Sequence, residues 1–476
     1  MLFNSVEYFL FLPAVFAAYW FIFNKQYIIQ NLVILISSYV FYGWWDWRFL
    51  SLIILSTIVD FFVGLKIFNV ESKETKKIYL WVSILFNLSV LGFFKYFNFF
   101  IDSWITILSA FGFQNESVWT LNVILPVGIS FYTFQTMSYT MDIYYGKLKP
   151  TKDFISFASF VSFFPQLVAG PIERASNLLP QILTNRIFQY KKGVKGLRLI
   201  LWGMFKKVVI ADSLSWRVDY CFNNFEILDG GSLLLGLIYF SIQIYCDFSG
   251  YSDIAIGTAK LFGIDLKSNF KFPYFSRNIA EFWRRWHISL SSWFKDYLYI
   301  PLGGSKEGVG NSIRNIFVIF ILSGFWHGAN WTFIIWGLCH ASFYLPTFLS
   351  HNNRKYVAGF VSKNSWLPSI KELIKMVTTF LLTTIAWVFF RSENIYQSID
   401  YLQSMAFKIS IPLDNRSGVV FVILLLIMDW SMRKNEQDPL NFKNEYIRRF
   451  SYIILGYTII AHIRLIDLTK FLYFQF

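Results

Sequence analysis

Apolar runs recur from one end of the chain to the other, and no other feature limits the possible folds as strongly. A straight membrane-spanning helix needs about 20 apolar residues, and several of the runs are shorter than that. We therefore expect roughly ten to thirteen membrane-embedded helices, some of them tilted, re-entrant or buried among the others. The runs lie near residues 8–23, 28–45, 49–68, 78–100, 123–145, 154–170, 197–211, 232–248, 313–325, 331–349, 373–390, 418–430 and 450–463.

The composition excludes most soluble classes of protein. Of the 476 residues, 55% are hydrophobic and 15% are charged, and the mean hydropathy is +0.46. A typical soluble domain has about a quarter of its residues charged. This balance excludes a disordered chain, a collagen-like chain and a water-soluble enzyme, and it predicts an all-α polytopic membrane protein.

The net charge of +14 comes from 43 basic against 29 acidic side chains. In a soluble protein this excess would suggest nucleic-acid binding, but here the basic residues lie in short loops between apolar runs. That placement is typical of membrane orientation and of contact with lipid headgroups, so nucleic acid is not an expected partner. Lys25, Lys73, Lys76 and Lys77 fall on one side and Arg48 on the other. The N-terminus is therefore predicted outside, and the loop with three lysines in the cytoplasm.

Prolines interrupt or bound helical stretches mainly in the centre of the chain, between residues 120 and 340. Broken helices at membrane depth persist only where the freed backbone groups line a cavity or find protein partners. We therefore expect a cavity in this part of the chain. The prolines concerned are Pro126, Pro165, Pro171, Pro273 and Pro301.

The segment 281–298 combines basic and aromatic residues at helical spacing. On a helical wheel, aromatic side chains fill one half and Arg284 and Arg285 lie on the other, as in a basic amphipathic helix at the membrane surface. The two arginines could contact headgroups or the phosphates of a charged donor. His287 falls at the edge of the apolar arc. It is either a hydrogen-bonded structural histidine or a titratable group that faces a buried passage.

A second histidine lies inside the strongly apolar run 316–336. Intramembrane ionisable residues are functional hypotheses by default, and His327 is flanked by Gly324 and Gly328. Two interpretations remain open. The glycines allow close helix packing with His327 bonded between helices, or they leave room for a substrate beside the imidazole. His340 lies about 140° away around a continuous helix, so we interpret it as structural.

The chemistry open to a buried histidine here is limited. The sequence has no HExxH motif, no His/Cys cluster and no GxSxG motif, so neither a metal site nor a serine nucleophile is predicted. A neutral imidazole is sufficient as general base for a hydroxyl that attacks a thioester, a role worth about 10²–10⁴-fold in rate. Burial disfavours the imidazolium and so keeps the base neutral at physiological pH.

Polar residues also interrupt the apolar run at 243–255, where Asp247, Tyr251 and Asp253 stand. One interpretation is a helix end with capping interactions. The other is a polar lining that positions a donor or orients a histidine.

Five motifs carry a resemblance to a known family. They read FFPQLVAGPI at 163–172, QIYCDFSGYSDIAIG at 243–257, NFKFPYFSRNIAEFWRRWHISLSSWFKDYLYIPLGG at 269–304, FWHGANWTFIIWG at 325–337 and FLYFQF at 471–476. With these motifs the sequence resembles the membrane-bound O-acyltransferase (MBOAT) family, most closely its branch that O-acetylates alginate, related polysaccharides and peptidoglycan. The branch that adds D-alanyl groups to teichoic acid shares the FWRRWHISLS-like stretch.

The resemblance implies a fold and an activity. The expected fold is an all-α polytopic transmembrane bundle, with re-entrant and interfacial helices around a central tunnel. An acyl thioester, either acetyl-CoA or an acyl-carrier thioester, would enter from the cytoplasm of a bacterial cell, with no bound cofactor. The acetyl group would cross the cytoplasmic (inner) membrane to a polysaccharide, or to a periplasmic or secreted SGNH-type acetyltransferase partner.

The resemblance also implies roles for residues. His327, in the WHG motif, is the expected catalytic histidine, and His287 is a second functional one. One integral-membrane domain is expected over 1–476, with N-terminal helices in 1–120, a catalytic core in 121–345 and C-terminal helices in 346–476. Substrate contacts are assigned to Trp286, Arg284, Arg285, Asp247, Tyr251, Trp326 and Asn330.

Two alternatives stand beside acetyl transfer. One is D-alanyl transfer to teichoic acid from a carrier protein. The other is a transporter that moves an acetyl donor without chemistry, for which an inverted repeat is expected and none is visible in the sequence.

Overall fold

A computed structural model describes most of the chain as helices. The described residues are 1–22, 26–112, 121, 124–357, 359–362, 365–408, 410–412 and 414–463, and within them there is no β-strand. This confirms the predicted all-α class. Contacts divide these residues into two compact units. Unit 1 comprises Met1, Glu7–Ile187 and Gly328–Asn330, and unit 2 comprises Leu2–Val6, Phe188–His327 and the described residues from Trp331 onward.

Unit 1 contains the first nine helices of the chain. They are α1 Val6–Ala17, α2 Tyr27–Asp46, α3 Leu50–Asn69, α4 Lys73–Leu91, α5 Phe97–Ala110, α6 Ile129–Tyr144, α7 Phe154–Ser162, α8 Phe164–Leu167 and α9 Ala175–Ile182. The motif at 163–172 breaks the helical path between α7 and α8, as its proline predicts. The backbone N–H of Phe164, freed at the break, donates to Ser38 Oγ over 3.1 Å, so the break finds a partner within the unit.

Unit 2 contains the remaining helices and both candidate histidines. They are α10 Tyr190–Met204, α11 Asp212–Asn223, α12 Gly230–Leu261, α13 Ile279–Arg285, α14 Ile288–Phe294, α15 Val309–His327, α16 Trp331–Leu349, α17 Ile370–Arg391, α18 Ile395–Phe407, α19 Val419–Met432 and α20 Glu445–His462.

Six helical segments of the described chain are long and apolar enough to cross a membrane. Two further apolar helical segments, Val6–Ile22 and Phe154–Leu167, are shorter than these six. A multi-pass membrane protein is therefore confirmed, while the expected total of ten to thirteen embedded helices stays a prediction. The six segments are Tyr27–Asn69, Lys73–Ala110, Gly230–Leu261, Val309–His327, Trp331–Leu349 and Ile370–Arg391.

Glycines allow α10 and α12 to pack backbone against backbone. A Cβ added at Gly203 would lie 2.5 Å from the carbonyl oxygen of Gly250, and one added at Gly257 would lie 2.5 Å from that of Gly196. No side chain fits at such distances, so small residues at both crossings are required. This contact fixes α12, which carries the 243–257 motif.

Close backbone packing at glycines also joins α15 to α16. It bears on the role of Gly324, which the sequence left open. A Cβ at Gly324 would lie 2.1 Å from the carbonyl oxygen of Phe333, and one at Gly337 would lie 2.3 Å from that of Phe320. Gly324 therefore allows close helix packing and does not clear room for a substrate. The packing holds His327 at the C-terminal end of α15.

The segment 281–298 is not the single amphipathic helix that its spacing predicts. It divides into α13 and α14, because Trp286 is extended (φ −102°, ψ 127°) and His287 is left-handed (φ 42°). The freed backbone groups bond across to a neighbouring segment. Lys271 N–H donates to the carbonyl of Arg285, and Ile288 N–H donates to that of Asn269, each over 2.9 Å. These two bonds replace bonds along a helix, which is why the prediction is wrong.

Candidate active site

The structure brings the two candidate histidines together in unit 2. The ring centroids of His287 and His327 lie 6.2 Å apart, with the ring planes at 64°. Both side chains are buried, at 0% and 5% exposure. His327 ends α15, whereas His287 immediately precedes α14. Two residues separated by 39 intervening positions in the sequence thus share one small volume, which their separate motifs alone did not predict.

Aromatic rings surround His327. The ring centroids of Trp326, Trp336 and Phe390 lie 5.1, 5.2 and 5.3 Å from that of the imidazole. His327 is thus a buried histidine in a largely aromatic environment.

His287 lies among other neutral groups. Its ring centroid is 4.7 Å from that of Phe248, and its Nδ1 lies 3.3 Å from Asn269 Oδ1. Burial lowers the pKa of His287 to about 3. The side chain is therefore neutral at physiological pH, and its two ring nitrogens have different roles, one as donor and one as acceptor.

A cavity of about 710 Å³ lies in unit 2, and neither histidine is among the described residues that line it. Its lining includes Ile288, the neighbour of His287 in the chain, and Ser323. Ser323 precedes His327 by four residues, or about 6 Å along α15. Volumes of about 300–1,000 Å³ are usual for small-molecule sites. The cavity is thus large enough for a small ligand and ends close to the candidate chemistry.

The cavity wall is strongly basic. Seven basic side chains and only two acidic ones, Glu281 and Glu436, line it. The acidic groups already form ion pairs, since Glu281 accepts from Arg285 over 2.8 Å and Glu436 from Lys271 over 3.0 Å. The wall therefore presents an excess of positive charge to any ligand. The basic residues are Lys271, Arg284, Arg285, Lys295, Arg354, Arg433 and Lys434.

Arg284 is the clearest sign that the cavity takes an acceptor or an anion. Its Nη1 donates to the carbonyl oxygen of Asn353 over 2.7 Å. Within the described chain, its buried Nε and Nη2 atoms have no hydrogen-bond acceptor. Two unsatisfied N–H groups on one guanidinium are unfavourable unless a ligand or water supplies the acceptor. The sequence placed Arg284 on the polar half of a surface helix, and the structure places it in the wall of this cavity.

Other predicted substrate contacts lie elsewhere in unit 2. Lys207 Nζ pairs with the Asp247 carboxylate over 2.7 Å, and the Tyr251 ring stacks on that of Phe3 with centroids 4.5 Å apart. Because α12 is continuous from Gly230 to Leu261, the helix-end interpretation of this segment is wrong. Neither side chain lines the basic cavity, so their assignment as substrate contacts stays a prediction.

The other predicted substrate contacts, Trp286, Trp326 and Asn330, lie in three different places. Trp286 is buried in an aromatic cluster, with its centroid 5.1 Å from that of Trp387. Trp326 lies 5.8 Å from His287 between ring centroids. Asn330 belongs to the connection between α15 and α16. Trp326 is thus the one of the three that we find beside the histidine pair.

His340, interpreted from the sequence as structural, has its ring centroid 4.8 Å from that of Trp336, which also contacts His327, and its role stays a prediction. Three other residues of this region were missed from the sequence. No role was predicted for Asn269 or for the cavity residues Arg354 and Lys434, because each lies in a different stretch of the chain. Only folding brings them to one place.

Two features used in the sequence interpretation lie outside the described residues, namely Lys25 and the 471–476 motif. In the described part of the chain, no group of three or more His, Cys, Asp or Glu side chains could hold a metal ion.

Comparisons with known proteins give the family and its relatives. The model of the membrane-bound O-acyltransferase family matches residues 151–356, which include both histidines. The chain is 42% identical over 398 residues to the probable alginate O-acetylase of Pseudomonas aeruginosa, covering 83% of this chain and 73% of that protein.

Two further relatives differ in the group they transfer or the polymer they modify. The peptidoglycan O-acetyltransferase of Helicobacter pylori is 37% identical over 435 residues, covering 85% of this chain and 80% of the relative. The teichoic acid D-alanyltransferase of Bacillus subtilis is 31% identical over 281 residues, covering 54% and 67%. Similarity to the O-acetylating relatives therefore extends over much more of the chain.

Proposed function

Because this chain belongs to the membrane-bound O-acyltransferase family, we propose that it transfers acetyl from a cytoplasmic thioester donor, acetyl-CoA, for the O-acetylation of a polysaccharide outside the cell membrane. Membership makes the chain a multi-pass membrane O-acyltransferase and removes the transporter without chemistry from the alternatives. The names of the relatives point to alginate or peptidoglycan as the class of acceptor. The bacterial cytoplasmic membrane, where such polymers are exported, is the proposed location.

One observation carries the choice of donor, namely the basic cavity beside the histidine pair. CoA carries phosphate groups at one end and the acyl thioester at the other. Arg284 offers two N–H groups that lack acceptors within the described chain, and guanidinium groups match phosphate oxygens in geometry and charge. Phosphates held there would leave the thioester to extend along α15 toward His327.

The dimensions of the cavity fit such an arrangement. Its lining on α15 runs from Ile316 to Ser323, and His327 lies eleven residues beyond Ile316, or about 16 Å along the helix. The basic lining residues Lys271, Arg354 and Lys434 lie in connections between the long helices. Loops rich in lysine and arginine are found on the cytoplasmic side of membranes. This supports a donor that enters from the cytoplasm.

The chemistry needs one base for the hydroxyl proton and one proton donor for the leaving thiolate. The acceptor hydroxyl attacks the thioester carbonyl carbon while His327 takes the hydroxyl proton. The tetrahedral intermediate then collapses, the C–S bond breaks, and the imidazolium returns the proton to the leaving thiolate. An ester and a free thiol result, and His327 is neutral again. His287, 6.2 Å away between ring centroids, orients the hydroxyl or relays its proton.

The immediate acetyl acceptor is either the polysaccharide or a periplasmic or secreted SGNH-type acetyltransferase. Both receive the group on a hydroxyl, so the same base serves both. D-alanyl transfer from a carrier protein is the alternative donor reaction, and the more limited similarity to the teichoic acid D-alanyltransferase makes it the second choice.

The experiment is a donor exchange with purified protein in liposomes. Acetyl-CoA labelled in the acetyl group is supplied to one side, and label on an added polysaccharide or SGNH-type protein is measured on the other. We expect transfer from acetyl-CoA and none from a D-alanyl carrier protein. Transfer only from the carrier protein would overturn the donor assignment. Movement of intact acetyl-CoA without release of its thiol would overturn the reaction.

A further inference from the structure

Asn269 stands out among the residues around the histidine pair, because its side chain bonds to three different residues. It is buried, with 1% exposure. Its Oδ1 accepts from the backbone N–H of Ser289 over 3.2 Å and from Ser289 Oγ over 2.9 Å. Its Nδ2 donates to Ser252 Oγ over 3.3 Å. The same Oδ1 lies 3.3 Å from His287 Nδ1.

These bonds decide which way the amide faces. The two ends of an asparagine amide are assigned from hydrogen bonds, and a backbone N–H can only donate. The atom that faces the N–H of Ser289 must therefore be the oxygen of Asn269. Since an amide oxygen can only accept, the ring nitrogen that approaches it must carry the proton.

We propose that Asn269 is a positioning residue that fixes His287 as the Nδ1–H tautomer, which places the lone pair on Nε2. The backbone contributes to the same arrangement. Ile288 N–H donates to the carbonyl of Asn269, and this bond holds the left-handed backbone of His287 (φ 42°) in place. Asn269, which lies outside α13 and α14, thus sets the position of the His287 ring and determines which of its nitrogens carries the proton.

The inference rests on the proposed function in one respect, since the orienting or relaying role of His287 belongs to that proposal. An Nε2 lone pair accepts a proton or a hydroxyl hydrogen bond, whereas an Nε2–H would donate one. Burial lowers the pKa of His287 to about 3, so the ring stays neutral and the choice between tautomers matters at physiological pH. The tautomer itself exists whether or not any acetyl group is transferred.

The test reads the tautomer directly by nuclear magnetic resonance of ¹⁵N-labelled histidine in lipid. His287 signals are assigned by their loss in His287→Asn. In the wild-type protein we expect a protonated Nδ1 and an unprotonated Nε2. Protonated Nε2 with bare Nδ1 would overturn the inference, and this measurement needs no variant of Asn269.

Variants of Asn269 then separate positioning from structure. Asn269→Ala removes the acceptor, so we expect a mixture of tautomers and a fall in kcat of roughly 10- to 100-fold with an unchanged KM for the donor. Asn269→Asp keeps an acceptor oxygen and should keep the Nδ1–H signal. The control is Asn31→Ala in unit 1, where a buried asparagine also donates to a serine, Ser156, over 2.8 Å. The control should leave the His287 signals unchanged.

Each outcome has a separate meaning. An Asn269→Ala protein that keeps the wild-type His287 spectrum would overturn the positioning role. If no donor supports acetyl transfer but the spectra change as expected, the proposed function fails and the tautomer inference stands.

Discussion

Two groups of charged side chains in unit 2 differ in burial and in how they are balanced. In the segment that follows α10, the buried Lys206 Nζ lies 2.7 Å from an Asp253 carboxylate oxygen, and the buried Lys207 Nζ lies 2.7 Å from one of Asp247. Lys207 also pairs with Asp212 over 2.8 Å, so both lysines have acidic partners. In the cavity wall, seven basic side chains face two acidic ones, and Arg284 has N–H groups without acceptors in the described chain.

This difference between paired and unpaired charge helps to locate a ligand site. A buried ion pair is already neutral, and breaking it costs stability. A guanidinium with N–H groups that lack acceptors is unfavourable until a ligand or water supplies them. Unbalanced charge is therefore a better sign of a binding site than burial alone. By this criterion we expect a ligand of unit 2 to bind in the cavity and not at the Lys206 and Lys207 ion pairs.

The largest expected effect comes from removing the proposed base. In His327→Ala, acetyl transfer should fall by about 10²–10⁴-fold, because the group proposed to take the hydroxyl proton is lost. Thermal unfolding in detergent reports whether the variant stays folded. Acetyl transfer and unfolding are measured on the same preparation. The matched control is the exposed His462→Ala, and a folded His327→Ala protein with full activity would contradict the assignment.

The ion pairs should show the opposite pattern. Lys207→Met removes the ion-pair partner of both Asp247 and Asp212 and should destabilise the protein by about 3–5 kcal/mol. The double variant Lys207→Met with Asp247→Asn removes both charges of the more buried pair and should regain part of that stability, while the bond from Lys207 to Asp212 stays lost. Denaturant unfolding measures both.

The double variant also tests the comparison between the ion pairs and the cavity wall. We expect its activity per folded molecule to match the wild type, because the pair does not line the cavity. A stable but inactive double variant would show instead that Asp247 contacts substrate, as the sequence suggested. The division between balanced and unbalanced charge would then fail.

The sequence predicted the fold class and the two histidines because both depend on local patterns. Apolar runs of helical length stand out without any tertiary contact. His327 is conspicuous because few ionisable residues surround it in an apolar run. Asp247 was equally conspicuous for the same reason, but its meaning depended on Lys207, some 40 residues earlier in the chain. A local pattern does not reveal such a partner.

The break at His287 could not be predicted for a related reason. The segment has helical spacing throughout, and its aromatic residues favour one face. The competing bonds come from Asn269 and Lys271, which pair with the backbone around His287. Tertiary contacts thus override the local periodicity at the position of His287. The cavity was predicted only as a location in the chain centre, without its basic wall.

A smaller effect is expected at the donor end of the cavity. Arg284→Gln keeps a polar side chain but loses the charge and the guanidinium N–H groups, so the KM for acetyl-CoA should rise by about tenfold with kcat nearly unchanged. Steady-state kinetics over a range of donor concentrations measures this. Arg449→Gln is the control, since Arg449 is exposed and pairs with Glu445 within α20. An unchanged KM in Arg284→Gln would place the phosphates elsewhere and remove the main support for the cavity as donor site.

A further effect concerns the pH dependence of stability at His287, whose neighbours include Phe248, Asn269 and the second histidine, His327. Burial lowers its pKa in the folded protein to about 3, from 6.5 for the free side chain. Between these values the unfolded chain binds the proton and the folded one does not. The contribution of His287 is therefore fully present above pH ~6.5 and is lost as the pH falls, by about 1.4 kcal/mol per pH unit.

His287→Asn removes this titration and should flatten the fall in unfolding free energy between pH 6.5 and 4.5, compared with the wild type. Denaturant unfolding at a series of pH values measures the difference between the two slopes. His462→Asn, which alters an exposed histidine, should leave the wild-type slope intact. Equal slopes for wild type and His287→Asn would mean that the imidazole gains a proton on the folded protein as readily as in water. A neutral, aromatic environment would then be the wrong description of this side of the site.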